Sequence, residues 1–101
     1  MALEVLMDGP TLKLIGELDV ATVPLLELMF HQSAARHREL RIDLSGTRFM
    51  DSVGLRCLIS LARTPNRAMV LQDPSTPVQR LLDLALGEHQ RVLSVHCSIK
   101  A

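Results

Sequence analysis

From residue 3 to residue 99 the chain alternates short segments of two-residue hydrophobic period with longer segments of helical period. Turn-forming residues separate most of them. This alternation constrains the fold more than any other feature, because each helix must carry the chain back before the next strand can start beside the last. Leu3 to Met7 is a short apolar strand, ended by the turn Asp8-Gly9-Pro10. Thr11 to Gly16 follows closely enough for a hairpin, with Leu12 and Leu14 alternating with polar neighbours. Leu40 to Leu44 is a third strand, stopping at Ser45-Gly46, and Val92 to Ile99 is the last. Ala68 to Leu71 is a nearly continuous apolar run, as in a strand covered on both faces.

Three helices lie between them. Thr22 is placed to cap the first, with Pro24 in its first turn and Leu26, Met29, Phe30 and Ala34 at helical spacing. The second is expected from Ser52 to Arg63, on Leu55, Leu58, Ile59 and Ala62, and Thr64-Pro65-Asn66 ends it. Ser75 is placed to cap the third, with Pro77 in its first turn. Its stripe is Val78, Leu81, Leu82, Ala85 and Leu86, and Gly87 fits the left-handed position past its end. The predicted order is β-β-α-β-α-β-α-β. The expected fold is α/β, a small mixed β-sheet with the helices packed on one face, in one domain spanning residues 1–101.

Composition excludes several function classes. Eleven basic and eleven acidic residues cancel, so no basic stripe for a nucleic-acid backbone is expected. With no Trp or Tyr and only two Phe, a base-stacking platform is not expected either. No apolar run reaches the roughly 18 residues of a membrane span, and Glu4 and Asp8 interrupt a start that lacks the basic leader of a signal peptide. Cys57 and Cys97 are too few for a disulfide scaffold and are expected as buried free thiols in a cytoplasmic monomer. The four histidines never stand at the i, i+4 spacing of a helical metal pair, and neither a P-loop nor a dinucleotide fingerprint occurs, so no metal or cofactor is expected. Ser33, His31 and Asp43 suggest a triad only by composition, because no nucleophile elbow is present. The chain is not expected to be an enzyme.

Two segments carry more information. Arg48 to Leu55 joins a strand to a helix and places Ser52 at the helix start. As a plain cap, Ser52 contributes about 1 kcal/mol. A hydroxyl there also stands beside free N–H groups and the positive end of the macrodipole, which suits a phosphate. Gly54 sacrifices about 1 kcal/mol of helix propensity relative to Ala, which close approach by a partner or close packing on the sheet would each explain. The other segment is Gly16-Glu17-Leu18-Asp19, whose acids precede a helix N-terminus and are favoured there electrostatically.

Together these segments resemble the STAS family, and specifically the bacterial anti-sigma factor antagonists. The resemblance rests on Gly16 to Asp19, on Ile42 to Gly46 continuing through Phe49-Met50-Asp51-Ser52 to Gly54-Leu55, and on Asp73-Pro74-Ser75 followed by Val78, Arg80 to Leu82 and Leu84. It covers nearly the whole chain. It implies a partner that is both anti-sigma factor and serine kinase, bound by the unphosphorylated antagonist so that a sigma factor is freed. The serine after the Asp matches Ser52, whose phosphorylation would release the partner. The resemblance carries the supporting acids onto Asp19 and Asp51, and the partner face is expected at Asp19, Asp51, Ser52, Val53, Gly54 and Arg56.

The chain departs from the family pattern in three places. Val53 replaces a second Ser or Thr, the second helix and its turn, Arg63 to Arg67, are about one turn shorter than usual and lack the common Gly-Gly, and Gly87 to Gln90 departs from the usual Thr-Gly-Leu. Rival readings are a STAS subunit of a membrane lipid-transport ATPase, which is not phosphorylated, and a domain that binds a nucleotide or small anion at the Ser52 helix start.

Overall fold

Gly9, at a left-handed φ of 58°, turns the chain back on itself. β1 (Leu3–Asp8) and β2 (Thr11–Leu18) then pair antiparallel, from Leu3 opposite Gly16 to Asp8 opposite Thr11. The protein is seen here as a computed structural model that describes residues 2–86 and 95–98. α1 (Val23–Ala34) leads to β3 (Glu39–Asp43), which runs parallel to β2. β4 (Thr47–Met50) and α2 (Ser52–Ala62) follow, then β5 (Ala68–Gln72), α3 (Thr76–Leu86) and β6 (Val95–Ser98). The sheet order is β1-β2-β3-β5-β6, with β4 paired to β2. The mixed α/β sheet expected from the sequence forms, with one strand more.

That strand is β4, which lies in the segment expected only to join a strand to the second helix. β2 is long enough to serve two neighbours in succession. Thr11 to Lys13 pair with β3, and Gly16 to Leu18 pair with β4 after a register shift at Gly16 and Glu17. Because β1 holds the opposite edge of β2, β3 and β4 share the remaining one. Thr47 anchors the break between them: it is fully buried and its hydroxyl donates to the Leu14 carbonyl at 2.9 Å.

Alternation along the strands builds the core. Leu12, Leu14 and Leu18 of β2, Leu40 and Ile42 of β3, and Met69 and Leu71 of β5 are buried with Leu26 and Phe30 of α1 and Leu55, Leu58 and Leu61 of α2. Each such side chain contributes about 1.5–3 kcal/mol on burial. Of the three helices expected on one face, α1 and α2 touch each other, while α3 makes its main contacts with β4 and buries Val78 and Leu82.

The expected caps are corrected. Thr22 precedes α1 but makes no side-chain cap, because its hydroxyl is taken up within the turn before the helix. The Ser75 hydroxyl donates to the Thr47 carbonyl, tying the start of α3 to β4. Ser52 is not a cap either; Asp51 is. Gly87 to Gln90, Val92 to Ser94 and Ile99 lie outside the described residues, as do the side chains of Ala85, Leu86 and Cys97.

Candidate functional site

β2 and β4 run parallel and end together, Leu18 beside Met50, so the segments that follow them are neighbours. After β2 the chain turns on Asp19. Its Oδ1 accepts the backbone N–H groups of Ala21 at 2.9 Å and Thr22 at 3.1 Å, while its own N–H donates to Thr22 Oγ1 at 2.9 Å. The Thr22 hydroxyl donates in turn to the Glu17 carbonyl at 2.9 Å. Asp19 is only 8% exposed, so its carboxylate shapes this loop. Gly16, Glu17 and Leu18 belong to β2 itself, and Glu17 points toward Arg48, 3.5 Å away.

After β4 the chain enters α2 through Asp51. This residue is extended (φ −96°, ψ −178°), and its Oδ1 accepts the Gly54 N–H at 2.8 Å. Its own N–H donates to the Leu18 carbonyl at 3.2 Å, and its Oδ2 accepts the Val20 N–H at 3.4 Å. One carboxylate therefore caps α2 and holds the β2–α1 loop against it. Asp and Ser are about equally good caps, and adjacent in sequence they cannot be ranked by type. The strand before them decides, because pairing with β2 delivers Asp51 extended and leaves Ser52 as the first helical residue.

Ser52 is exposed, and among the described residues no side chain hydrogen-bonds its hydroxyl. Among the described residues no side chain hydrogen-bonds it as a general base would. It is an accessible hydroxyl at the positive end of a helix, where an added phosphate is electrostatically tolerated. Arg56 is exposed, Val53 half-buried and Gly54 buried. A Cβ at Gly54 would sit on the Leu18 carbonyl oxygen and lie 3.0 Å from Leu18 C and Cγ. Of the two explanations open for this glycine, the structure selects close packing on the sheet.

The structure thus brings Asp19, Asp51 and Ser52 to one end of the sheet, with Ser52 and Arg56 at the surface. It also shows two surface residues that sequence reasoning missed. Val20 is 66% exposed and Phe49 is 48% exposed, and both flank Asp51. Nothing in the sequence marks Phe49 as exposed, because the burial pattern of β4, buried at both ends and exposed between, has no strand-like alternation to reveal it. Ser33, His31 and Asp43 form no triad: Ser33 is buried in α1, His31 is exposed, and Asp43 accepts the Ser45 N–H at 2.9 Å. Cys57 is a free, half-buried thiol whose pKa is pushed up to about 11 by burial and, second, by the Glu27 carboxylate. Among the described residues no group of three or more His, Cys, Asp or Glu could hold a metal, and no helix is long and apolar enough to cross a membrane.

Comparison with known proteins fits this architecture. The family profile described as Mlab, STAS domain, matches residues 1–93. The chain belongs to the STAS domain family. No curated protein matches it. The solved structures that share its fold include two anti-sigma factor antagonists. An anti-sigma factor antagonist from Mycobacterium paratuberculosis superposes with a TM-score of 0.72 at 22% identity, over 96% of this chain and 86% of that one. The anti-sigma factor antagonist SpoIIAA in its unphosphorylated form gives 0.61 at 18% identity, over 83% and 84%. In this STAS domain the segment around Asp51 and Ser52 closes β4 onto α2, and the Gly16 to Asp19 segment closes β2 onto α1 beside it.

Proposed function

We propose that the chain is an anti-sigma factor antagonist, a single STAS domain over residues 1–101 that works as a cytoplasmic monomer and binding regulator with no catalysis of its own. Its partner is an anti-sigma factor with serine kinase activity. Unmodified, the domain binds that partner and frees a sigma factor; phosphorylated at Ser52, it lets go. The observation that carries the reading is Ser52 itself: an exposed hydroxyl, without an internal hydrogen bond, at the first position of α2 and beside Asp51. The fold shared with two anti-sigma factor antagonists supports it. The contact face comprises Asp51, Ser52, Val53 and Arg56, with Asp19 and Gly54 acting beneath the surface to shape it.

A phosphate adds about −1.5 to −2 charges at neutral pH. A partner surface fitted to a neutral hydroxyl would then face unpaired charge next to Asp51, and a differential of about 2.7 kcal/mol lowers affinity roughly a hundredfold. The test is binding to the kinase-type anti-sigma factor encoded nearest the gene. Ser52→Ala should stay bound in the presence of ATP and Ser52→Asp should bind more weakly; equal affinity of the two variants would refute the switch.

One observation favours a second reading, a STAS subunit of a membrane lipid-transport ATPase: the matching family profile is described by the name Mlab. Co-purification with a permease and ATPase, with Ser52 unmodified, would establish it.

A further inference from the structure

Arg56 is the one basic side chain on α2, and α2 carries no acidic residue. It is exposed, and among the described residues the ion pairs are Arg41 with Glu39 and Arg48 with Glu17, so Arg56 has no carboxylate partner there. It follows Ser52 by four residues, and Ser52 is exposed too. Residues four apart share a helix face, and helical side chains lean toward the N-terminus, which directs a guanidinium at position 56 over the turn that carries position 52. An acid four residues before a base is the favourable orientation of such a pair. The Asp51 carboxylate, next to Ser52 in the chain, is already held by the N–H groups of Gly54 and Val20, and its charge disfavours a phosphate lying close to it.

We propose that a phosphoryl group on Ser52 is held by Arg56 of the same helix, so that modification withdraws this guanidinium from the partner face. The proposal rests on the reading of Ser52 as the modified residue and adds how the signal spreads beyond it. In the unmodified domain the face presents a neutral hydroxyl and an unpaired cation. In the modified domain the cation is consumed internally and about one negative charge remains, so a partner that pairs an acidic group with Arg56 loses that contact as well.

The experiment uses the full chain with phosphoserine installed at position 52 during translation, which removes any dependence on a kinase. The phosphorus NMR signal is followed through a pH titration in this protein and in Arg56→Gln and Arg56→Lys. The second ionisation of a phosphoserine ordinarily falls near about 6. Arg56→Gln should raise its midpoint by about 0.3–0.4 unit, equivalent to about 0.5 kcal/mol. Arg56→Lys keeps the charge and should recover part of that shift. The helix N-terminus acts alike in all three proteins, so the difference isolates the side chain. A midpoint unmoved by Arg56→Gln overturns the proposal. Failure of the phosphorylation reading would show separately, as a Ser52 that the cognate kinase and ATP leave unmodified while the titration difference persists.

Discussion

Gly54→Ala is the substitution whose outcome the structure fixes most tightly. The added methyl would collide with the Leu18 carbonyl oxygen and stand 3.0 Å from Leu18 C and Cγ. Ordinary carbon contacts need about 3.5 Å or more, so the start of α2 must back away from β2 by roughly half an ångström or more. The retreat weakens two bonds that are already long, Asp51 N–H to the Leu18 carbonyl at 3.2 Å and Val20 N–H to Asp51 Oδ2 at 3.4 Å. Overpacking of this kind costs about 1–3 kcal/mol, and each hydrogen bond is worth about 0.5–1.5 kcal/mol. Better helix propensity returns only about 1 kcal/mol. The net loss is about 1–3 kcal/mol, which lowers the melting temperature of a domain this size by roughly 5–15 °C. Thermal unfolding followed by circular dichroism measures it directly. A variant as stable as the parent would refute the packing argument.

Asp51→Ala should lose about 1 kcal/mol in urea unfolding as α2 loses its cap, and the Val20 amide should exchange faster in NMR while the core amides of β3 stay protected. Ser52→Ala should change stability by less than about 0.5 kcal/mol in the same assay, because Ser52 is exposed and makes no cap; a loss of a full cap's worth would contradict the assignment of Asp51. Cys57 ionises near 11 in the folded chain against 9.0 ordinarily, so the folded state holds that proton more tightly than the unfolded state. Its contribution is fully present below about pH 9 and is lost as pH rises through about 11, a decline that Cys57→Ser should flatten in denaturation curves taken across that window.

Most of the sheet was legible because its signals are local. Leu12 and Leu14 alternate, Gly9-Pro10 turns, and Leu26, Phe30 and Ala34 repeat at helical spacing. What was not legible depends on pairing between distant segments. β2 runs on through Glu17 and Leu18 because β4 is there to bond it, and β4 is a strand because β2 has an unused end. The same long-range pairing settles the cap in favour of Asp51 over Ser52 and explains Gly54 by the backbone of Leu18. The sequence pattern singled out Asp19, Asp51 and Ser52, which the structure brings to one end of the sheet, but it did not show what each carboxylate bonds there. Asp19 and Asp51 hold loops together, whereas Val20 and Phe49 supply exposed apolar surface that no periodicity announced.

If Ser52 is the switch, incubating the chain with the cognate kinase and ATP and then analysing its phosphopeptides by mass spectrometry reads this out in one step. One phosphate per chain is expected, on the peptide containing Ser52, and none on Ser52→Ala. A phosphate on another residue, or a Ser52→Ala chain that still accepts one, would contradict it.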